Sequence, residues 1–381
     1  MQGRLHLATQ TRPAPPSADP LAALRLARSR NVGPATWARL IARFGSPERA
    51  LEALPELARR GGMAGFVPCT VEDAARELEA GTRAGARLAV LGSPAYPPAL
   101  AEIPDPPPVL WILGEPALLA RPAVAIVGGR NASALGLRMA EGLAADLGAA
   151  GQVVVSGLAR GVDGSAHKGA LPTGTIAVLA GGADVVYPPE HGALMARIAA
   201  EGALVSEAPM GLEPQTRHFP RRNRIIAGLA RAVVVIEAAA RSGSLITAEF
   251  ALEQGREVLA VPGPPLDPRS GGCNALIRDG ATLIRDARDV LEALEGAARR
   301  LPLPGPTGFA EPAAPALRPP PEAEVRAQVA ELLGLAPVEE DVLARLAGAP
   351  LAALADALLE LELAGRLDRR PGGMLALLPE T

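Results

Sequence analysis

Short apolar runs alternate with amphipathic stretches through the middle of the chain, and this rhythm sets the expected architecture. The runs Ala123 to Val127, Val153 to Val155, Ile176 to Leu179, Ala203 to Val205, Ala232 to Ile236 and Val258 to Val261 are brief and rich in β-branched residues. Strands with one face in water would alternate apolar and polar positions, whereas uninterrupted runs predict parallel strands covered on both faces. Between them, Leu135 to Leu147 and Leu245 to Leu252 show helical spacing. Repeated strand and helix predict an α/β domain over 90–298, an extended Rossmann-like, doubly wound sheet.

The flanks have other patterns. Residues 1–20 are rich in Pro, Ala and Ser without periodicity, the composition of a disordered leader. Residues 21–85 predict a helical domain of helix-hairpin-helix (SAM-like) type, in which Asn31-Val32-Gly33-Pro34 precedes an amphipathic helix that breaks at Gly45-Ser46-Pro47. Such a turn can offer backbone amides to a phosphate, and it is equally a plain connection between short helices. The proline cluster from Pro94 to Pro108 reads as an extended entry to the sheet. Residues 299–321, with eight prolines between 301 and 321, read as a linker. Glu324 to Leu333, Glu340 to Leu346 and Leu351 to Ala364 then predict three helices, followed by a hairpin from Leu367 to Leu378, so 322–381 should be a winged helix.

Composition narrows the function. No apolar stretch is long enough to span a bilayer and the N-terminus has no secretory pattern, so a soluble cytoplasmic protein without membrane contact is expected. Cys69 and Cys273 have no companions at ligand spacing, and neither a metal nor a cofactor is expected. The formal charge is only −3, so contact with a polyanion would have to come from a local patch. All of the 38 basic residues except Lys168 are arginines, whose planar forks suit phosphate.

Ligands of doubly wound sheets sit beyond the carboxyl ends of the strands, and four strand ends here carry small residues: Gly128-Gly129-Arg130, Ser156-Gly157, Gly181-Gly182 and Ser242-Gly243-Ser244. Neither the dinucleotide fingerprint nor the phosphate loop of nucleotide hydrolases is present. The run Arg217-His218-Phe219-Pro220-Arg221-Arg222-Asn223-Arg224 holds four arginines and a phenylalanine without a carboxylate. Guanidinium groups at successive phosphates and a phenyl ring stacked on an unpaired base would together grip a single strand. Asp163 and Glu237 read as caps rather than bases, His167 as a packing neighbour, and no catalytic constellation is evident.

These motifs, together with Leu158-Ala159-Arg160-Gly161-Val162-Asp163, Asp184-Val185-Val186-Tyr187-Pro188, Ile225-Ile226-Ala227-Gly228-Leu229, Leu245-Ile246-Thr247-Ala248 and Val261-Pro262-Gly263, resemble the bacterial DNA-processing protein A (DprA/Smf) family over roughly residues 90 to 295. The resemblance implies a non-enzymatic protein that binds single-stranded DNA on the Rossmann-like domain, dimerises through it and passes the strand to the RecA recombinase in natural transformation. The family's usual turn serine is replaced by Gly129, and Pro189 and Thr216 stand where many relatives carry basic residues. The rival reading is a nucleotide-processing enzyme of the lysine-decarboxylase-like, cytokinin-activating type, but the glycine run of that signature is missing from Arg241 to Glu249. In the third C-terminal helix, Asp356, Glu360 and Glu362 would repel a phosphate backbone, so a protein-contact or regulatory role is expected for this unit.

Overall fold

The computed structural model describes residues 19–299, 322–334, 336–370 and 374–378. The leader up to residue 18, the linker from residue 300 and the hairpin tip at 371–373 lie outside the described residues.

Four helices come first: α1 (Pro20–Arg28), α2 (Pro34–Phe44), α3 (Pro47–Arg60) and α4 (Val71–Arg83). Their starts are written locally, since proline opens the first three, and Asp19, Ser46 and Thr70 accept hydrogen bonds from the amides of the turns they precede. Gly45, at φ 81°, ends α2 in a left-handed conformation that favours glycine. Leu24, Leu26, Trp37, Leu40 and Leu54 form the centre of this unit.

The sheet domain then runs β1 (Arg87–Val90), α5 (Pro98–Ala101), β2 (Val109–Gly114), β3 (Ala123–Gly128), α6 (Ala134–Ala149), β4 (Val153–Ser156), α7 (Val162–Ala170), β5 (Thr175–Val178), α8 (Gly192–Glu201) and β6 (Ala203–Ser206). It continues with α9 (His218–Leu229), β7 (Ala232–Ile236), α10 (Gly243–Glu253), β8 (Glu257–Ala260), α11 (Gly271–Arg278), β9 (Thr282–Leu283) and α12 (Ala287–Arg299). The nine strands are ordered β1-β2-β6-β5-β4-β3-β7-β8-β9. From β3 the chain winds outward to β6, then returns to lay β7 against the other side of β3. The crevice between β3 and β7 is therefore the switch point of a doubly wound sheet.

Both faces are covered. In β3, Ala123, Ala125 and Val127 pack on one side, Val124 and Ile126 on the other, and β7 divides in the same way. All six expected strands are present, but β1 and β2 pair antiparallel at one edge and make the sheet mixed. They flank the proline cluster, which masked them as connection. The helical domain seats on this edge through Trp111 of β2, whose indole Nε1 donates to Glu77 Oε1 at 2.8 Å while Arg28 pairs with the same carboxylate.

His167 of α7 is wholly buried, and its Nδ1 lies 2.7 Å from the Thr175 hydroxyl, which itself donates to the Val154 carbonyl. The hydroxyl must accept from His167, so Nδ1 carries a hydrogen. Burial first, and then nearby His191 and Arg222, push its pKa down to about 3. Since the unfolded chain takes up this proton near the ordinary value of 6.5 and the folded chain does not, stability present above that pH falls as the medium is acidified towards the folded value. Urea midpoints between pH 8 and 5 should decline more shallowly in His167→Gln than in the parent.

The C-terminal unit comprises α13 (Glu322–Leu332), β10 (Val338–Glu339), α14 (Glu340–Ala347), α15 (Leu351–Leu363), β11 (Leu367–Arg370) and β12 (Met374–Leu377), with the strands ordered β10-β12-β11. This is the expected winged helix with one extra short strand. Its core holds Val325, Val329, Leu343, Leu358 and Leu375. Helix α15 also packs on α2 and α3, where burial of Leu359 and Leu363 contributes about 1.5–3 kcal/mol each.

Candidate nucleic-acid interface

The switch-point crevice opens into a cleft of about 580 Å³ lined by Gly128, Gly129 and Arg130 after β3, Glu237 and Ala239 after β7, and Ser242, Gly243 and Ser244 at the start of α10. Two of the four small-residue turns thus converge where the topology demands. The others serve packing. The Ser156 hydroxyl donates to the Ile126 carbonyl at 2.6 Å, and the Gly157 amide donates to Asp163 at 3.1 Å. Gly182 donates its amide to Leu212. Ser156 is buried and unavailable to a ligand, a correction to its expected place on the anion-binding edge.

The arginine run divides as well. Helix α9 begins at His218 and takes in most of the run, so the arginines point in directions set by the helix. Arg217 and Arg221, one turn apart, are exposed. Arg222 turns inward and is 6% exposed; its Nη1 donates to the Gly157 carbonyl at 2.7 Å and also to the Val178 carbonyl. Burial lowers its pKa to about 10, with Asp163 opposing and Arg130 adding to the shift. Burial likewise raises the pKa of Asp163, partly offset by Arg222. Arg224 is 3% exposed and pairs with Asp105 at 3.0 Å and Glu207 at 2.7 Å. Asn223 is buried, with its side-chain amide donating to the Gly243 carbonyl at 3.2 Å. Arg222 and Arg224 therefore fasten α9 in place instead of presenting their charge to a strand, while Asn223 ties α9 to the α10 turn at the wall of the cleft. Their positions follow from α9 lying across β3, β4 and β5, which buries every residue from 222 onward in that helix.

Phe219 and Arg130 do meet at the surface. The Arg130 guanidinium carbon lies 5.2 Å from the Phe219 ring centre, and Phe219 separates the main cleft from a second one, about 390 Å³, walled by Tyr187, Pro188, Leu158 and Arg160. Tyr187, 41% exposed, stands 5.5 Å from Phe219 with its ring inclined by 51°. The motif around Tyr187 was legible without its role. The available signal was scarcity, because an exposed tyrosine is notable in a chain with two tyrosines and five phenylalanines. Arg217 lies on the same helix end beside His218, while Arg221 faces the cavity between α9 and the helical domain.

Glu237 has a structural task. Its carboxylate accepts from the Ser133 amide at 2.7 Å and the Ser133 hydroxyl at 2.5 Å, and Gly136 leaves room for it, since a β-carbon there would lie 2.5 Å from its carboxyl carbon. It closes the N-terminus of α6, where the helix dipole favours negative charge. Glu249, on α10, is exposed outside the cleft. Among the described residues no cluster of His, Cys, Asp or Glu could hold a metal ion, and no single helix is long and apolar enough to cross a membrane.

A switch-point crevice edged by an arginine and two aromatic rings, in a sheet domain that follows a helical unit and precedes a winged helix, defines a Rossmann-like protein of three units. The chain belongs to the DNA recombination-mediator protein A (DprA/Smf) family, whose model matches residues 87–295. A DprA-like N-terminal HHH domain matches 17–80 and a DprA winged helix domain matches 311–373. Protein Smf of Escherichia coli is 43% identical over 290 residues, 74% of this chain and 75% of that protein. The crystal structure of DNA processing protein A from Streptococcus pneumoniae superposes with TM-score 0.61 at 34% identity, covering 72% of this chain and 98% of that one. A structure of the Helicobacter pylori protein, described by its single-stranded DNA binding mode, aligns with TM-score 0.50 at 30% identity over 55% of this chain and 96% of that one.

Proposed function

We propose that this DNA-processing protein binds single-stranded DNA along the switch-point edge of its sheet, protects the strand and delivers it to the RecA recombinase in natural transformation or recombination. The observation that carries the reading is the grouping of Arg130, Phe219 and Tyr187 between two clefts at the mouth of the crevice. Arg130 offers a fixed cation, and the rings offer stacking surface that a base reaches only when unpaired. Gly128, Gly129, Ser242, Gly243 and Ser244 supply close-approaching backbone and hydroxyl groups, Arg217 extends the positive edge, and Arg221 adds an exposed cation on the side that faces the helical domain. The single-stranded DNA binding named for the Helicobacter pylori relative supports the same ligand. We assign the protein to the cytoplasm as a homodimer joined through the sheet domain, and the division into units at 21–85, 90–298 and 322–381 goes with this reading. Competition between a mixed-sequence oligonucleotide and its duplex tests it; single strands should win, and equal affinity at moderate salt would remove stacking from the account.

The protein holds DNA without altering it. The rival nucleotide-processing reading needs a carboxylate free to act on a ribose, and both candidates are misplaced: Glu237 closes α6 and Glu249 lies outside the cleft. Incubation with nucleoside monophosphates should release no ribose phosphate, while Glu237→Gln should lower thermal stability. Turnover abolished by that substitution would return the protein to the rival class.

A further inference from the structure

Helix α15 has no free apolar side. Leu354, Ala357, Leu358 and Leu361 close the winged-helix core, whereas Leu359 and Leu363 belong to the core of the N-terminal helices. A helix apolar all round is stable only where both sides are covered. A polar rim surrounds the second contact. Asp356 pairs with Arg43 and Glu362 with Arg39, the latter at 3.0 Å, and the Asn31 side-chain amide donates to the Leu363 carbonyl at 2.9 Å. Gly61, at the end of α3, lets the two backbones touch, because a β-carbon there would lie 2.1 Å from the Glu360 carbonyl oxygen.

The contact covers the last helix of the winged helix and the part of α2 around Arg39, and it neutralises Arg43, whose side chain stays exposed. The bonds are also asymmetric. Glu362 is shared with Arg369 of β11 at 3.4 Å, so it keeps a cation when the units part. Arg39 and Arg43 lose the carboxylates they face here. What replaces a row of carboxylates on a helix most directly is a row of phosphates, which also gains from counterion release.

We propose that α15 is a built-in mimic of a phosphate backbone, an autoinhibitory clasp that keeps Arg39 and Arg43 from nucleic acid until the winged helix lets go. The clasp adds a second DNA-contacting surface, distinct from the crevice edge. It also turns the acidity of α15 from an obstacle to DNA binding into the means of regulating it.

The test uses full-length protein opened by Gly61→Leu. Gly61 has ordinary helical backbone angles, so the added side chain wedges α15 without straining its own turn. A second variant, Leu359→Gln with Leu363→Gln, opens the contact from the other side and spares the residues of the winged-helix core. Hydrogen exchange should show the amides of α2 and α15 losing protection together. The slope of log affinity against log salt for a single strand should then steepen by up to about 1.4, from two arginines released from their carboxylates at about 0.7 each. Adding Arg39→Gln and Arg43→Gln should cancel the gain. The increment should persist when Arg130→Ala has weakened the crevice edge, which separates failure of the clasp from failure of the principal site. Opening without a steeper slope, a gain that survives loss of both arginines, or unchanged protection in both opened variants would overturn the proposal.

Discussion

Arg222→Ala is expected to lower the unfolding free energy by several kcal/mol, because two buried carbonyls lose a charged donor at about 1.5–3 kcal/mol for each such hydrogen bond. The guanidinium is sealed beneath α9, where it donates to the carbonyls that end β4 and β5 and lies close enough to Asp163 for each to shift the other's pKa. Its loss leaves those carbonyls without a donor and Asp163 without its counter-charge, in a place that already disfavours the ionised carboxylate. Gly157 is shaped around the same group, since a β-carbon there would lie 2.4 Å from the Arg222 Nη1. The adjacent Arg221→Ala should behave in the opposite way, changing stability by no more than about 0.5 kcal/mol as an exposed site and acting on DNA binding instead. Urea denaturation followed by circular dichroism, run on both variants, checks the pair. Equal stabilities would mean that the buried guanidinium is not what fastens α9 to the strand ends.

The second large effect is on binding. Phe219→Ala should weaken single-strand affinity by about 1–3 kcal/mol, or roughly five- to 150-fold, with little change in salt dependence, because a stacking surface is lost and no phosphate contact goes with it. Arg130→Ala should act mainly through salt, reducing the slope of log affinity against log salt by about 0.7. The two losses should not add. Arg130 lies over the Phe219 ring in a cation–π arrangement, so each positions the other, and a double-mutant cycle should return a coupling of about 0.5 kcal/mol or more. Tyr187→Ala should resemble a milder Phe219→Ala. If Tyr187→Ala binds as the parent does, the platform is one ring and not two.

Much of this architecture was legible along the chain because buried parallel strands announce themselves. Continuous β-branched runs located all six inner strands, and their order implied a ligand crevice at the strand ends. The antiparallel edge was hidden by the prolines between its strands. Side-chain direction was the harder quantity. A run such as Arg217 to Arg224 shows charge density in one dimension, while the side of α9 that meets the sheet is fixed only by packing. Two of its four arginines consequently proved structural, with Arg224 held by Asp105 and Glu207. The turn at Ser156-Gly157 misled for a related reason, since a small residue at a strand end can serve a ligand or, as here, make room for Arg222. The acidity of α15 finds its counterpart in protein, since Asp356 and Glu362 pair with Arg43 and Arg39. That the protein surface is the chain's own N-terminal domain depends on contacts more than 300 residues apart, which no local pattern encodes.

The central claim, that the Arg130–Phe219 edge grips single-stranded DNA, is tested most directly by a salt titration. Fluorescence anisotropy of a labelled mixed-sequence oligonucleotide should be followed across salt concentrations for the parent and for the Arg130→Ala, Phe219→Ala double variant, after circular dichroism confirms that both are folded. The account predicts that the double variant loses at least tenfold in affinity and shows a shallower salt slope by about 0.7. A folded double variant that keeps the parent's affinity and slope would contradict it.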